Sequence, residues 1–295
     1  MLIASQTSII ERRFGAEKAI KMLAEVGFEA FDFTFFQMNE ATESQVYGKN
    51  YREYMLSLKA VADKAGIRCT QAHAHFPSEK VGDAEYNEKS FKQMIHEMEC
   101  ASLLGAPHII IHPVKEMPDK TEELEYNIAY YNRLLPYAKK FNIKIALENM
   151  FIVDRSYKYV VRLTNGACGT GDEFVRYMER LDPEWFIACI DTGHSGIAGQ
   201  KVHYAIRQLG HKYLHALHIQ DNNFFEDTHT APYFGLIDWE EVCRALADID
   251  YDGDFTFEAH RFLERIPDEL FMDTLSLLYK IGKYLSDRIE QLKNS

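Results

Sequence analysis

Short apolar runs alternate along this chain with longer stretches whose apolar positions recur at helical spacing. The first run, Met1–Ser5, precedes a stretch that puts Ala16, Ile20, Leu23 and Ala24 on one face and stops at Gly27. Ala30–Phe35 and Ile67–His73 read as the next two strands, separated by a helix over Tyr51–Ala65 that Gly66 ends. A helix aligning Phe91, Ile95 and Met98 ends near Gly105, and the strand His108–His112 is closed by Pro113. Leu124, Ile128, Tyr131 and Leu135 mark another helix, before the strand Ile143–Glu148. Asn149–Gly171, rich in glycine, reads as a long loop leading to a helix from Asp172 to Leu181. The apolar run from Trp185 ends on Asp191; a short helix over His203–Leu209 and the strand Tyr213–His218 follow. Beyond the polar loop Ile219–Ile237 come a helix aligning Trp239, Val242, Leu246 and Ile249, the strand Asp254–Glu258, and a closing helix.

Eight strand–helix units in 295 residues predict an α/β protein, a (β/α)8 TIM barrel in one domain spanning 1–295. A doubly wound open sheet is the competing architecture, but no G-x-G-x-x-G follows the first strand. Composition narrows the function classes. With 33 Lys and Arg against 45 Asp and Glu, the formal net charge of -12 disfavours a polyanion as main partner, so no nucleic-acid partner is expected. Five scattered cysteines without C-x-x-C read as reduced, buried thiols. No segment has the length and apolarity of a membrane span or a secretory leader, so a cytoplasmic protein is expected, with homo-oligomerisation left open.

In such a barrel the carboxyl ends of all strands open onto one face. His73, His112, Glu148, Asp191, His218 and Glu258 stand at those ends, with His194, Asp227 and His229 in the following loops. One strand-end histidine or acid is usually structural, and Asp191 alone reads as a helix cap. Six in succession are another matter, because burying that many acids and imidazoles is costly unless something pairs them. A divalent metal does so economically. Mixed carboxylate and imidazole donors suit Mn, Zn, Mg or Co, without choosing among them.

The stretches H73-A-H-F-P77, I-I-I-H112-P, A-L-E148-N, D191-T-G-H194, H218-I-Q-D and F-T-F-E258 together resemble the xylose-isomerase-like barrel superfamily. That superfamily holds sugar-phosphate isomerases and epimerases and AP endonucleases of the endonuclease IV type. The resemblance implies one divalent ion held by Glu148, Asp191, His218 and Glu258, with His194 on substrate oxygens. It also implies a substrate contact at Asp154, where epimerase-like members carry Glu. His75 stands where the family commonly has Pro, and no role is assigned to it. Arg261, just beyond Glu258, is a further candidate for a phosphate or hydroxyl contact, and a surface ion pair is its plainer reading.

The chemistry expected is proton abstraction next to the carbonyl of a small sugar or sugar phosphate, through an enediolate. Glu148 and Glu258 are the candidate catalytic bases: two bases give epimerisation, one gives aldose–ketose isomerisation. The nuclease is the rival. It would add His73 and His112 to Glu148 at a second ion, and join His194 to Asp227 and His229 at a third. Against it stand the net charge and the absence of Lys and Arg from Ile219–Ile237. A non-catalytic sugar-binding barrel is the remaining alternative, disfavoured because a binder has no need of two bases.

Overall fold

The computed structural model describes the chain except residues 37–44, 115, 116, 118, 158, 159 and 295, and gives 153–165 by backbone alone. Eight parallel strands form one sheet: β1 (Ile3–Gln6), β2 (Ala30–Thr34), β3 (Arg68–His73), β4 (His108–Ile110), β5 (Lys144–Glu148), β8 (Phe186–Asp191), β9 (Leu214–His218) and β10 (Phe255–Phe257). They run in chain order, with β10 returning to β1. On the other side of β10, a parallel bridge joins Ile219 to Phe257, and Ile219 N donates to the Thr256 carbonyl at 2.8 Å. The sheet is a barrel.

Between strands lie α1 (Ser8–Phe14), α2 (Ala16–Val26), α3 (Tyr51–Ala65), α4 (Ala84–Leu104), α5 (Lys120–Phe141), α6 (Gly171–Arg180), α7 (Thr192–Ile197), α8 (Val202–Tyr213) and α9 (Trp239–Asp248). The short α10 (His260–Glu264) and the long α11 (Asp268–Lys293) close the ring. Ends follow the local chemistry. Asp83, Asp119, Thr170 and Asp238 cap α4, α5, α6 and α9 through side-chain oxygens, and left-handed glycines end α2, α3 and α4. No described helix is long and apolar enough to cross a membrane.

Two expectations change. The stretch expected as a loop after Glu148 contains an antiparallel hairpin, β6 (Phe151–Tyr157) and β7 (Val160–Asn165). Helices α1, α7 and α10 were too short to leave a periodic pattern. On α4 the fully buried face runs through Met94, Met98 and Ala101, with Phe91 partly buried against the same core, and it includes a fully buried acid, Glu97. His75 explains the acid. Its Nδ1 lies 2.8 Å from Glu97 and its Nε2 2.7 Å from Ser90 Oγ, while Tyr47 and Gln93 donate to the other Glu97 oxygen. The extra imidazole ties the end of β3 to α4.

Period-two alternation sorts the strands into two faces. Ile109, Ile111, Ile145, Leu147, Ala188, Ile190 and Leu217 belong to the large core between barrel and helices. Their neighbours Ile110, Ala146, Ile187, Cys189 and Ala216 form a separate small cluster. The next residues on that second face are His112, Glu148, Asp191 and His218. The alternation that fills the barrel interior also points the polar residues into its mouth.

At Gly282 α11 packs so closely that an added Cβ would come within 2.6 Å of Phe257 and 2.8 Å of Ile3, spanning the β10–β1 seam. Gly282→Leu is expected to lower stability by about 1–3 kcal/mol, read as a reduced urea midpoint at constant slope. An unchanged midpoint would mean the helix is not pressed on this seam.

Candidate metal centre

Glu148 is the hub of the barrel mouth. It ends β5 with no exposed surface, and His112 Nε2 and His218 Nδ1 lie 3.0 and 3.2 Å from its Oε2. The same His218 nitrogen lies 2.9 Å from Glu258 Oε2, so two carboxylates share one imidazole nitrogen. His73 approaches Glu148 to 3.7 Å and the His112 ring nitrogen to 3.2 Å. One donor atom each from His73, Glu148, His218 and Glu258 lies within 4.8 Å of the other three.

Asp191, expected in that set, sits on its flank with Glu148 and His194. One of its oxygens caps α7, accepting the His194 N–H at 2.7 Å, and Gln220 donates to both oxygens at 3.1 and 3.3 Å. Gly193 permits this: a Cβ there would come within 2.5 Å of the Gln220 side chain. A second group joins His194, Asp227 and His229, with His229 Nε2 2.8 Å and His194 Nε2 3.6 Å from Asp227 Oδ2. Asp154 falls among the residues whose side chains are not described. Arg261 is exposed on α10 and does not line the cavity.

Sequence reasoning missed the groups that hold these residues in place. Gln6 donates to Glu258 Oε1 at 3.1 Å, and Asn149 brackets Asp191, accepting its N–H and donating to its carbonyl. His194 Nδ1 is 2.9 Å from the Asn149 carbonyl, which leaves Nε2 toward Asp227 and the cavity. Asp32 lies 3.4 Å behind His218 Nε2 and is itself held by Gln71 at 3.0 Å. A carboxylate behind the far ring nitrogen orients a ligating histidine and turns its other nitrogen outward. The readable signal was a polar residue inside an apolar strand, as in A-F-D32-F-T.

Burial opposes ionisation of Glu148, but His218 and His112 outweigh it and hold the group well below the usual carboxylate range. For Glu258 burial is likewise outweighed by His218, then His229. Burial, with His112 and His218, pushes His73 well down, leaving a neutral imidazole. Asp191 goes the other way, to about 7, raised by burial and by Glu148 and Glu258. In the second group Asp227 outweighs burial to lift His229 to about 9.

Both Glu148 oxygens, Glu258 Oε2 and His218 Nδ1 are buried without a hydrogen-bond partner. An unmet buried acceptor costs about 1–3 kcal/mol, and more when charged. Acceptor-only oxygens with adjacent imidazole nitrogens are what a divalent cation needs, so the residues fit such an ion. Above them is a cavity of about 320 Å³, walled by Phe36, Phe76, Met150 and Phe151 and opening onto His112, His194, His229 and His260. That volume suits a small ligand.

The model of the family described as xylose isomerase-like TIM barrel matches residues 20–281. An uncharacterized protein of Methanocaldococcus jannaschii is 25% identical over 194 residues, 62% of each chain. A D-psicose 3-epimerase of Ruminiclostridium cellulolyticum is 23% identical over 249 residues, covering 81% of this chain and 76% of that one. A probable endonuclease 4 of Mycoplasmoides gallisepticum is 25% identical over 179 residues, 56% of this chain and 55% of that one. The chain thus spans less than two thirds of the first and last of these relatives. The crystal structure of a D-tagatose 3-epimerase-like protein superposes with a TM-score of 0.73 over 99% of both chains at 19% identity, a likeness of fold.

Asp32→Ala is expected to weaken binding of Mn²⁺ or Co²⁺ by roughly 10–100-fold, with Asp32→Asn intermediate. Calorimetric titration of folded variants measures it. Equal affinity in all three proteins would remove Asp32 from any role behind His218.

Proposed function

The chain belongs to the xylose isomerase-like TIM-barrel family, and from that premise we propose that it is a divalent-metal-dependent sugar isomerase or epimerase. The observation that carries the reading is the pair Glu148 and Glu258 on one nitrogen of His218, with unpartnered oxygens beneath an aromatic-walled cavity. Glu148, His218 and Glu258 would hold the ion, with Asp191 and His73 the further donors on its flanks. When bound, the ion supplies Lewis-acid stabilisation of negative charge on the sugar's oxygens.

The chain's own residues do the rest. Glu148 and Glu258 are held as carboxylates, the form a general base needs. One of them takes the proton from the carbon beside the carbonyl, leaving an enediolate. Return of a proton by the same group to the neighbouring carbon isomerises the sugar; return by the other group to the opposite face of the first carbon epimerises it. Similarity to a D-psicose 3-epimerase favours epimerisation of a ketose. His194, fixed through its Nδ1, presents Nε2 to a substrate hydroxyl. Phe36, Phe76 and Phe151 cover the carbon face of the sugar and keep water from the enediolate.

A second reading is metal-dependent incision of abasic DNA, favoured by the group His194, Asp227 and His229 and by similarity to a probable endonuclease 4. The net charge of -12 opposes it.

Two measurements separate these readings. In D₂O the manganese-loaded protein is expected to wash deuterium into the carbon beside the carbonyl of a substrate ketose, D-psicose and D-tagatose being the first to try. Glu148→Gln and Glu258→Gln should each lower kcat by roughly 10²–10⁴-fold at matched metal occupancy. Exchange that survives both substitutions would be fatal to the assigned bases. Incubated with an abasic duplex at low salt, the metal-loaded protein should leave the strand intact; incision lost in His229→Ala would reverse the assignment.

A further inference from the structure

Beyond β3 the chain enters a short loop, 74–78, that borders the catalytic cavity and is hydrogen-bonded to α4. On α4 the polar residues Tyr86, Ser90, Gln93 and Glu97 recur at i, i+4, i+7 and i+11, one stripe along a helix otherwise packed on the core. Buried polar side chains cost stability unless each finds a partner. The partners of this stripe are the residues on both sides of Phe76. Glu97 Oε2 accepts the His75 backbone N–H at 3.0 Å and lies 2.8 Å from the ring Nδ1. Tyr86 Oη donates to the Pro77 carbonyl at 2.6 Å. Ser90 Oγ donates to the Ser78 carbonyl, and Ser78 Oγ to the His112 carbonyl at 2.8 Å. Gln93 and Tyr47 donate to the other Glu97 oxygen.

Phe76 is the residue of this loop that lines the cavity. Its ring meets that of His112 edge to face at 4.8 Å between centroids, and His112 lies 3.0 Å from Glu148. The ring is 44% exposed, so burial does not fix it; the bonded backbone on either side does. We propose that the polar stripe of α4 is a positioning device for Phe76, in which Glu97 acts through His75. Residues that touch neither the ion nor the sugar then set how tightly the sugar is held. The substrate side of this inference rests on the sugar isomerase or epimerase reading; the positioning rests on the hydrogen bonds alone.

Ser90, His75 and Glu97 also stand in the series of a hydrolytic triad, with His75 Nε2 2.7 Å from Ser90 Oγ. A nucleophile is not what the series makes. The Ser90 hydroxyl gives its proton to the Ser78 carbonyl, so the imidazole is the donor toward Ser90, and none of the three residues lines the cavity. A buried series with every bond committed serves to hold its loop.

The test uses the full chain with Phe76→Trp as a reporter. Acrylamide quenching is read as the difference from the parent, whose own tryptophans are Trp185 and Trp239. Glu97→Gln and Ser90→Ala are each expected to raise the quenching constant of the reporter. Tyr86→Phe, which removes one hydroxyl at a half-buried position, should raise it too, and it supplies the comparison if the buried variants do not fold. Lys92→Ala, on the exposed face of α4, should leave it unchanged. In the chain that keeps Phe76, loaded with Mn²⁺ and given D-psicose or D-tagatose, Glu97→Gln should raise KM roughly tenfold with a smaller effect on kcat. Added to Phe76→Ala, the same substitution should change KM no further, whereas a merely structural residue would give effects that add. A reporter quenched equally in all folded variants, additive effects on KM, or a fall in Mn²⁺ affinity in Glu97→Gln by calorimetry would each overturn the proposal. Failure to turn over any ketose would count against the sugar reading alone, because the quenching comparison needs no substrate.

Discussion

Two carboxylates, Glu148 and Glu258, are buried at the mouth of the barrel against one nitrogen of His218. Like charges in a dry site repel strongly, and either group alone would take up a proton. The surrounding imidazoles hold both in the ionised form, and both Glu148 oxygens and Glu258 Oε2 are left without a hydrogen-bond partner. The arrangement fits a divalent cation, and burying two like charges is not in itself a gain in stability.

The rest of the mouth fixes those charges in place. Gln6 reaches Glu258 from β1, Asp32 reaches His218 from β2, and Asn149 and Gln220 hold Asp191 from both sides. The long loop after β9 is organised in the same manner. Buried Asp221 accepts the N–H groups of Asn222, Tyr233 and Ile237 and the indole N–H of Trp239. That gathers the loop over the barrel end and delivers Asp227 and His229 beside His194. Precision here comes from strand ends and from the hydrogen-bonded carboxylates of Asp191 and Asp221.

Asp191 illustrates how a structural and a functional reading coexist. It caps α7, the ordinary task of an acid at the end of a strand, and through that cap it sets the position of His194. Its raised proton affinity comes from burial beside Glu148 and Glu258. His75 is the contrary case. A histidine two residues from the site, to which the sequence assigned no role, turns outward to meet Glu97 on α4 at 2.8 Å. Alternation would put His73 and His75 on one face, but the strand ends at His73, and beyond it the chain turns His75 away from the barrel mouth toward α4.

The order of strands, the helices between them and the polar residues at the strand ends were legible in the sequence, because each rests on local periodicity and on glycine or proline punctuation. The hairpin at 151–165 was not, since its strands carry polar residues and no alternation strong enough to separate them from a loop. Nor could the sequence say which of six strand-end groups meet. His73 joins Glu148, His218 and Glu258, and Asp191, although paired in register with His218, stands to one side with its oxygens taken by the His194 N–H and Gln220. Gln6 and Asp32 were visible as polar residues in apolar strands, but their partners lie far away in the chain, and closure of the barrel alone brings them together.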